Sequence, residues 1–352
     1  MTALSTTSTG TSTGTPATPT RRPSASGGLI RTMLRLHRPA LYVWTGLFVA
    51  VAALLLWLYG PVTDAAAVAW QQWNRCNTPT CSYDQDSILT YKRFTLFATI
   101  AVNLVPFLVA AWAGAALIGR EMETGTAQLA WTQSVSPARW LAVKLAMPAA
   151  FITAGTSILV LLHNMVWTKG RDRIDTAKPW SDSFIFHANG PTTIAFSLFG
   201  LVTGALVGLM LRRSLAALVV ALLCTVGVRS AVALAVPHLW PTVTTVSSLT
   251  NERAKSLGLT VDSGLLTSTG ARIPDPYCGS SGYPECGAAY KKLDAVSYYT
   301  VSHPFSHYWP LQLTATALVL TLAALTALVA FRLLKRQTGT TGTVRAVKKV
   351  SP

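Results

Sequence analysis

Apolar residues are concentrated in six runs along the chain, each of about 20 residues or more. Charged residues are nearly absent from these runs and gather in the segments between them. A run of this length crosses the hydrocarbon core of a bilayer as an α-helix, whereas a soluble helix shows only one apolar face. The pattern therefore predicts six transmembrane helices, at about residues 40–59, 94–119, 140–167, 192–211, 215–236 and 309–333.

The span-bearing region runs from residue 29 to residue 337, with a different kind of segment at each end. Residues 1–28 are rich in Thr, Ser, Gly and Pro and have too little apolar surface to fold, which predicts a disordered tail. Residues 338–352 form a basic tail. The connecting loops are a short polar one at 120–139 and longer ones at 60–93, 168–191 and 237–308.

Basic residues are distributed unevenly between the two sides of the predicted membrane. The formal net charge is +16. With both termini in the cytoplasm, the cytoplasmic segments hold 16 Lys and Arg but only two acids, Glu121 and Glu123, while the external segments hold 12 Lys and Arg and 11 acids. The positive-inside rule thus predicts cytoplasmic termini. Nucleic-acid binding, the alternative explanation of the charge, needs basic and aromatic residues on one folded surface, and here they are scattered.

Composition agrees with a multi-pass protein of the plasma membrane, since 51% of the residues are hydrophobic and only 12% are charged. Cys76 and Cys81 lie in the first predicted external loop, and Cys278 and Cys286 lie in the last. That compartment is oxidising, so we expect one disulfide within each loop, although four thiols allow three pairings. Zinc binding is the alternative, but no closely spaced Cys and His motif supports it, and no metal site is predicted.

Glycine spacing in span four indicates a packing face. Gly200, Gly204 and Gly208 follow one another at intervals of four residues, which leaves one side of the helix without side chains. Another helix can pack closely against such a face. Glycine is also common in membrane helices generally, which is the plainer explanation.

Three of the polar residues within the predicted spans are candidates for an intramembrane role. Arg229 lies in span five, and a charge there requires a partner helix or a wet cavity. Arg229 is also about two turns from the end of the span, so its side chain can alternatively reach the interface. His163 and Asn164 in span three are expected to form a satisfied polar pair between helices rather than a transport site.

No motif of a catalytic site occurs in a context that would support catalysis. The phosphate loop G-x-x-x-x-G-K-[ST] and H-E-x-x-H do not occur, and G-x-S-x-G occurs only at residues 10–14, in the Thr- and Ser-rich tail that is predicted to be disordered. Two cytoplasmic acids are too few for a metal or acid–base centre. The chain is therefore predicted to be no enzyme and to carry no cofactor of its own.

The polar loop 120–139 has the composition of a short helical connection. Thr124, Gly125 and Thr126 suit a turn followed by a helix start. Ser136 before Pro137 predicts the N-cap and first position of the next helix. The chain is thus expected to leave the membrane, form one short helix and return.

Residues 119–140, GREMETGTAQLAWTQSVSPARW, resemble the first cytoplasmic loop of the membrane subunits of ABC-2 type ABC transporters, in particular six-span permeases of actinobacteria. HYWPLQ at 307–312 resembles the start of that group's last span. The resemblance implies a permease half whose loop forms a coupling helix on a separate ABC ATPase subunit, which binds the ATP and Mg. Two halves, identical or different, would form one pathway that exports a hydrophobic or amphipathic compound.

The expected fold is all-α, with six transmembrane helices in the lipid bilayer, a cytoplasmic coupling helix and a disulfide-bearing external cap. Glu121 and Glu123 are expected to pair with basic residues of the ATPase or fix the turn, or else merely to balance Arg120, while Leu129 and Trp131 are expected to be apolar anchors. The residues assigned to coupling are Arg120, Glu121, Glu123, Thr124, Gly125, Thr126, Leu129 and Trp131. The alternative function is a membrane scaffold or ligand sensor with cysteine-bridged external loops.

Overall fold

A computed structural model describes residues 38–76, 82–132, 136–249, 258–276 and 283–348 of the 352-residue chain. The predicted tail 1–28, Cys81, Cys278 and residues 349–352 lie outside the described residues. Most of the described chain is helical, and six of its helical segments are long and apolar enough to cross a membrane. The prediction of six spans is thus confirmed.

The helical elements follow the predicted order. Span one (Arg38–Asn74) consists of α1 (Arg38–Trp57), a π-helical turn (Leu58–Val62) and α2 (Thr63–Asn74). Span two (Gln85–Glu123) consists of α3 (Gln85–Trp112), a second π-helical turn (Ala113–Gly119) and α4 (Arg120–Glu123), after which comes α5 (Thr126–Thr132). Span three is α6 (Pro137–Arg171), and the short α7 (Ser183–Ala188) follows it. Span four is α8 (Thr192–Leu211), and span five (Ser214–His238) is mainly α9 (Ser214–Ala235).

Span one is longer than its apolar run. The sequence predicts a loop over residues 60–93, but residues 63–74 form α2, and only residues 75–84 lie between this helix and α3. Alanine and glutamine favour the helix, and Ala66 and Ala67 are fully buried. The bend between α1 and α2 lies at Gly60 (φ −82°, ψ −109°) and Pro61, as expected for a proline-associated π-bulge.

Span four lies at the centre of the bundle. In its most apolar window 67% of the residues are buried, against 22–44% in the other spans. Its Gly200, Gly204 and Gly208 face the backbone of span two. A Cβ atom on Gly204 would lie 2.6 Å from the carbonyl oxygen of Ala110. The bare glycine face therefore lets these two helices approach more closely than side chains would permit.

The chain between spans five and six contains a four-stranded antiparallel sheet with strand order β1-β4-β2-β3. The elements are β1 (Val243–Ser248), β2 (Leu259–Thr267), β3 (Arg272–Ile273), α10 (Tyr283–Lys292) and β4 (Ala295–His303), and α11 (Tyr308–Lys348) then forms span six. Leu265, Cys286, Tyr290 and Tyr298 form a small core beneath the sheet. The expectation of an all-α fold is therefore wrong, because Val, Thr and Tyr in this loop favour strands.

The sheet contacts the end of span five through His303. The buried His303 places Nε2 2.9 Å from the carbonyl oxygen of Pro237 and Nδ1 3.2 Å from Nδ1 of His307. We call this the sheet end of the bundle. Span five begins at the opposite end, beside α4, so we call that the α5 end.

Each predicted disulfide has one described member. Cys76 follows α2, and Cys286 is buried in the core beneath the sheet. The expected partners, Cys81 and Cys278, lie outside the described residues, so both pairings stay predictions.

The glycine face gives the first test. We expect Gly204→Ala to lower the free energy of unfolding by about 1–3 kcal/mol, since the added methyl group would overlap the Ala110 carbonyl. Gly227→Ala is the matched control, because no described atom beyond the backbone of its own helix lies within 4 Å of the Cβ position there. Thermal unfolding of the purified protein in detergent measures both. Equal melting temperatures for the two variants would contradict the close packing.

Candidate functional site

The polar segment of residues 120–132 is a direct continuation of span two. Helix α4 follows the π-helical turn without a break, and the chain then turns at Gly125, whose φ of +73° is a left-handed conformation that favours glycine. Thr124 Oγ1 donates to the Arg120 carbonyl at 2.9 Å and lies 3.1 Å from Thr126 Oγ1. These contacts hold α4 and α5 together as one bent unit.

Span three starts as the sequence predicts. Ser136 is the N-cap of α6, its hydroxyl group accepting from the Arg139 N–H at 3.4 Å, and Pro137 is the first helical residue. Residues 133–135, which join α5 to this cap, lie outside the described residues.

A buried lysine fixes α4 to span three. Lys144 is only 1% exposed, and its Nζ atom donates to the Leu117 carbonyl at 3.1 Å and to the carboxylate of Glu121. The same ammonium group lies 5.1 Å from the centre of the Trp140 ring. Glu121 is therefore engaged within the chain.

Glu123 fixes the same helix to span five. Its Oε2 atom accepts the backbone N–H of Ser214 at 2.9 Å. This N–H belongs to the first turn of α9 and has no partner within its own helix, so the carboxylate caps the helix and complements its dipole. Helix α4 is thus bonded to spans three and five and is continuous with span two.

Some side chains of α5 pack against the bundle, and others are exposed. Ala127 is buried, and the Trp131 ring packs at 5.6 Å, nearly perpendicular, against Trp140. Leu129 points outward and is 63% exposed. Arg120, at the start of α4, is also exposed.

The polar residues within the spans form a separate cluster. His163 Nε2 lies 2.9 Å from Thr99 Oγ1, and its Nδ1 lies 2.5 Å from Asn189 Oδ1. Asn164 also reaches the Asn189 backbone, at 3.5 Å, so His163 and Asn164 share a partner and make no bond to each other. His163 is 19 residues along α6 from Lys144, or about 28 Å, so this cluster is remote from the α5 end.

Arg229 lies beside this polar cluster, in the sheet-end half of the bundle. One of its Nη atoms donates to Asn103 Oδ1 at 2.8 Å, and the guanidinium group lies 5.3 Å from the Phe196 ring centre. Arg229 thus faces spans two and four. Sequence reasoning did not single out Asn103, Asn189 or Lys144, because their partners are distant in the chain.

The part of the chain that the structure describes holds no group of three or more His, Cys, Asp or Glu side chains suited to a metal ion. Among the other histidines, His303 and His307 contact each other, while His187 Nδ1 lies 3.1 Å from Thr192 Oγ1.

Six spans and a polar helical pair between spans two and three define a multi-pass membrane protein with the layout of a permease. A family model described as ABC-2 membrane transporter related matches residues 45–237, more than half of the chain. The chain therefore belongs to this family of membrane permeases, located in the plasma membrane, and membership implies partnership with an ABC ATPase subunit. Neither a curated protein nor a solved structure matches the chain.

The buried ion pair gives the second test. Lys144→Met leaves Glu121 without its counter-ion, and we expect a loss of about 3 kcal/mol in unfolding free energy. Lys144→Met combined with Glu121→Gln is expected to recover part of that loss, since no uncompensated charge remains. Thermal unfolding in detergent compares the variants.

Lys169→Met is the control on the same helix. Its partner Asp64 is half exposed, so removal of this pair is expected to cost less than about 1 kcal/mol. Equal destabilisation by Lys144→Met and Lys169→Met would show that burial of the Lys144 pair is unimportant.

Proposed function

We propose that this chain is one permease half of an ABC exporter and that α4 and α5 form its coupling element. In this proposal both termini, α4 and α5 are cytoplasmic, as the excess of basic residues on that side supports. A separate ATPase subunit binds ATP and Mg and docks against α5. The sheet then lies outside the cell.

The observation that carries the proposal is that α4, the end of span two, is bonded to spans three and five as well. Glu121 bonds Lys144 of span three, Glu123 caps span five, and the peptide chain continues into span two. A displacement of α5 by a closing ATPase dimer would therefore move all three spans together. A loosely attached loop would absorb the same displacement.

The two acids act within the chain in this proposal. Sequence reasoning left open whether Glu121 and Glu123 pair with the ATPase, fix the turn or balance Arg120. Their side chains instead bond Lys144 of span three and the Ser214 N–H of span five, which supports a role within the chain. Arg120 remains exposed as the charged group of the docking surface. Thr124, Gly125 and Thr126 set the angle between α4 and α5.

Leu129 is the apolar anchor that we propose for the ATPase. It is exposed on a short helix whose opposite face is fixed by Ala127 and Trp131. A pre-ordered apolar side chain of this kind loses little entropy when a partner covers it. In this proposal Trp131 packs against Trp140 and so fixes α5 to span three, rather than contacting the ATPase subunit.

The transport pathway requires a second permease half, which is either another copy of this chain or a related one. The six spans of one chain are largely filled by their own side chains around the buried span four. Export, and a hydrophobic or amphipathic substrate, follow from the family resemblance.

Substitution of Leu129 tests the docking surface. We expect Leu129→Gln to reduce recovery of the ATPase subunit with the tagged permease by about tenfold, because an interface anchor contributes 1–2 kcal/mol or more. Quantitative mass spectrometry of the eluate measures the recovered ATPase.

Leu215→Gln is the matched control, because Leu215 is an exposed leucine close to the same end of the bundle but outside α4 and α5. This variant is expected to retain the ATPase. Normal recovery with Leu129→Gln, or equal loss with both variants, would contradict docking through α5.

A further inference from the structure

A cavity of about 450 Å³ lies beside span two in the sheet-end half of the bundle. Span two forms one wall, Trp167 of span three closes the back, and the loop leading to α7 covers the top. This volume falls within the range of small-molecule sites.

The long axis of the cavity follows span two into the membrane. Lys92 lies at its outer end and Ile100 at its inner end, and these residues are eight positions apart, or about 12 Å along a helix. Leu96, Ile100 and Phe184 line the cavity and are also exposed on the bundle surface. The cavity is therefore open toward the acyl chains of the bilayer.

Two hydroxyl groups in the cavity lack partners. Thr95 Oγ1 and Thr176 Oγ1 are buried and have no hydrogen-bond partner among the described residues. The Tyr91 hydroxyl group interacts with Thr95 without meeting hydrogen-bond geometry. Buried polar atoms are nearly always hydrogen-bonded. Both residues line the cavity, and rotation of either side chain about χ1 would turn its hydroxyl group toward a ligand with polar atoms, which would then satisfy it.

The charge at the outer end is positive. Among the described residues, Lys92 and Lys178 are the charged ones that line the cavity, and no carboxylate lines it. Asp182 neutralises Lys178, since the Oδ2 to Nζ distance is 2.9 Å. Lys92 forms no ion pair with any residue that the structure describes. The cavity thus favours an anionic group at the level of Lys92.

The loop that covers the cavity is fixed by its own contacts. Trp167 Nε1 donates to the Lys178 carbonyl at 3.0 Å, and Ile174 and Trp180 are buried. Asp182 caps α7 by accepting the N–H groups of Phe184 and Ile185 at 3.0 and 3.2 Å. The walls are therefore preformed, which reduces the entropy cost of binding.

We propose that this cavity binds a single-chain anionic amphiphile, with its alkyl chain along Leu96 and Ile100 and its polar head at Thr95, Thr176 and Lys92. In the proposed topology the site opens to the outer leaflet. The inference does not depend on the coupling role of α5, because binding is measured on the permease without an ATPase.

Photolabelling in lipid nanodiscs tests this site. The probe is palmitic acid carrying a diazirine on its chain, and cross-linked peptides are quantified by mass spectrometry. We expect the labels to concentrate around residues 95–100 and 176–185. Ile100→Trp fills the cavity and is expected to reduce this labelling about tenfold, whereas Leu108→Trp, at an exposed position of the same helix outside the cavity, leaves it unchanged.

Polar variants separate the head group from the chain. We expect Thr176→Val to weaken labelling about fivefold through the lost hydrogen bond. Lys92→Gln is expected to weaken labelling by the acid but not by the corresponding hexadecanol probe. Size-exclusion chromatography shows whether Ile100→Trp folds. If this variant does not fold, the smaller changes Thr176→Val and Lys92→Gln still test the site.

Three results would overturn the proposal. They are labelling spread evenly over lipid-facing residues, labelling unaffected by both Ile100→Trp and Thr176→Val, and equally strong labelling by a two-chain phosphatidylglycerol probe, which would indicate ordinary bilayer lipid.

Discussion

The contact between Lys144 and Glu121 is the constraint on which the α5 end of the bundle depends. An ammonium group buried among helices is costly unless an anion and further acceptors lie beside it. Here the Glu121 carboxylate and the Leu117 carbonyl meet that requirement, with Trp140 above. Span three can therefore keep Lys144 buried only while α4 stays in place. The position of the polar segment is thus set by the packing of the spans.

The glycine face of span four contacts the part of span two that leads into α4. Gly208 packs against Ile118 and Gly119, in the π-helical turn that leads directly into α4. The close approach of spans two and four, the ion pair and the Glu123 cap therefore converge on one short stretch of span two. In the proposed mechanism this convergence holds α4 rigidly, because none of its contacts can shift without disturbing another, and α5 moves with α4 through the Thr124 and Thr126 contact.

Patterns local in the sequence predicted much of this molecule. Runs of apolar residues located the six spans, and Ser136 before Pro137 located the start of span three. Four-residue glycine spacing indicated the face that meets span two. These features follow from hydrophobic periodicity and backbone preferences, which act over a few residues.

Features that depend on distant partners were not predictable in this way. Lys144 and Glu121 are 23 residues apart, so nothing in the sequence identified Glu121 as an internal counter-ion. The sheet between spans five and six was missed because its strands pair across long loops and lack a strict alternation. The cavity beside span two arises from a loop folding over a helix, and its two orphan hydroxyl groups are visible only in three dimensions.

Hydrogen exchange tests most directly whether residues 120–132 are a rigid extension of the spans. The permease is compared with its Lys144→Met/Glu121→Gln variant in nanodiscs by mass spectrometry. We expect slow exchange in α4 and α5 of the unmodified protein, and exchange at least about tenfold faster there in the variant, with residues 200–208 unchanged. Rapid exchange of α4 and α5 in the unmodified protein would contradict the account.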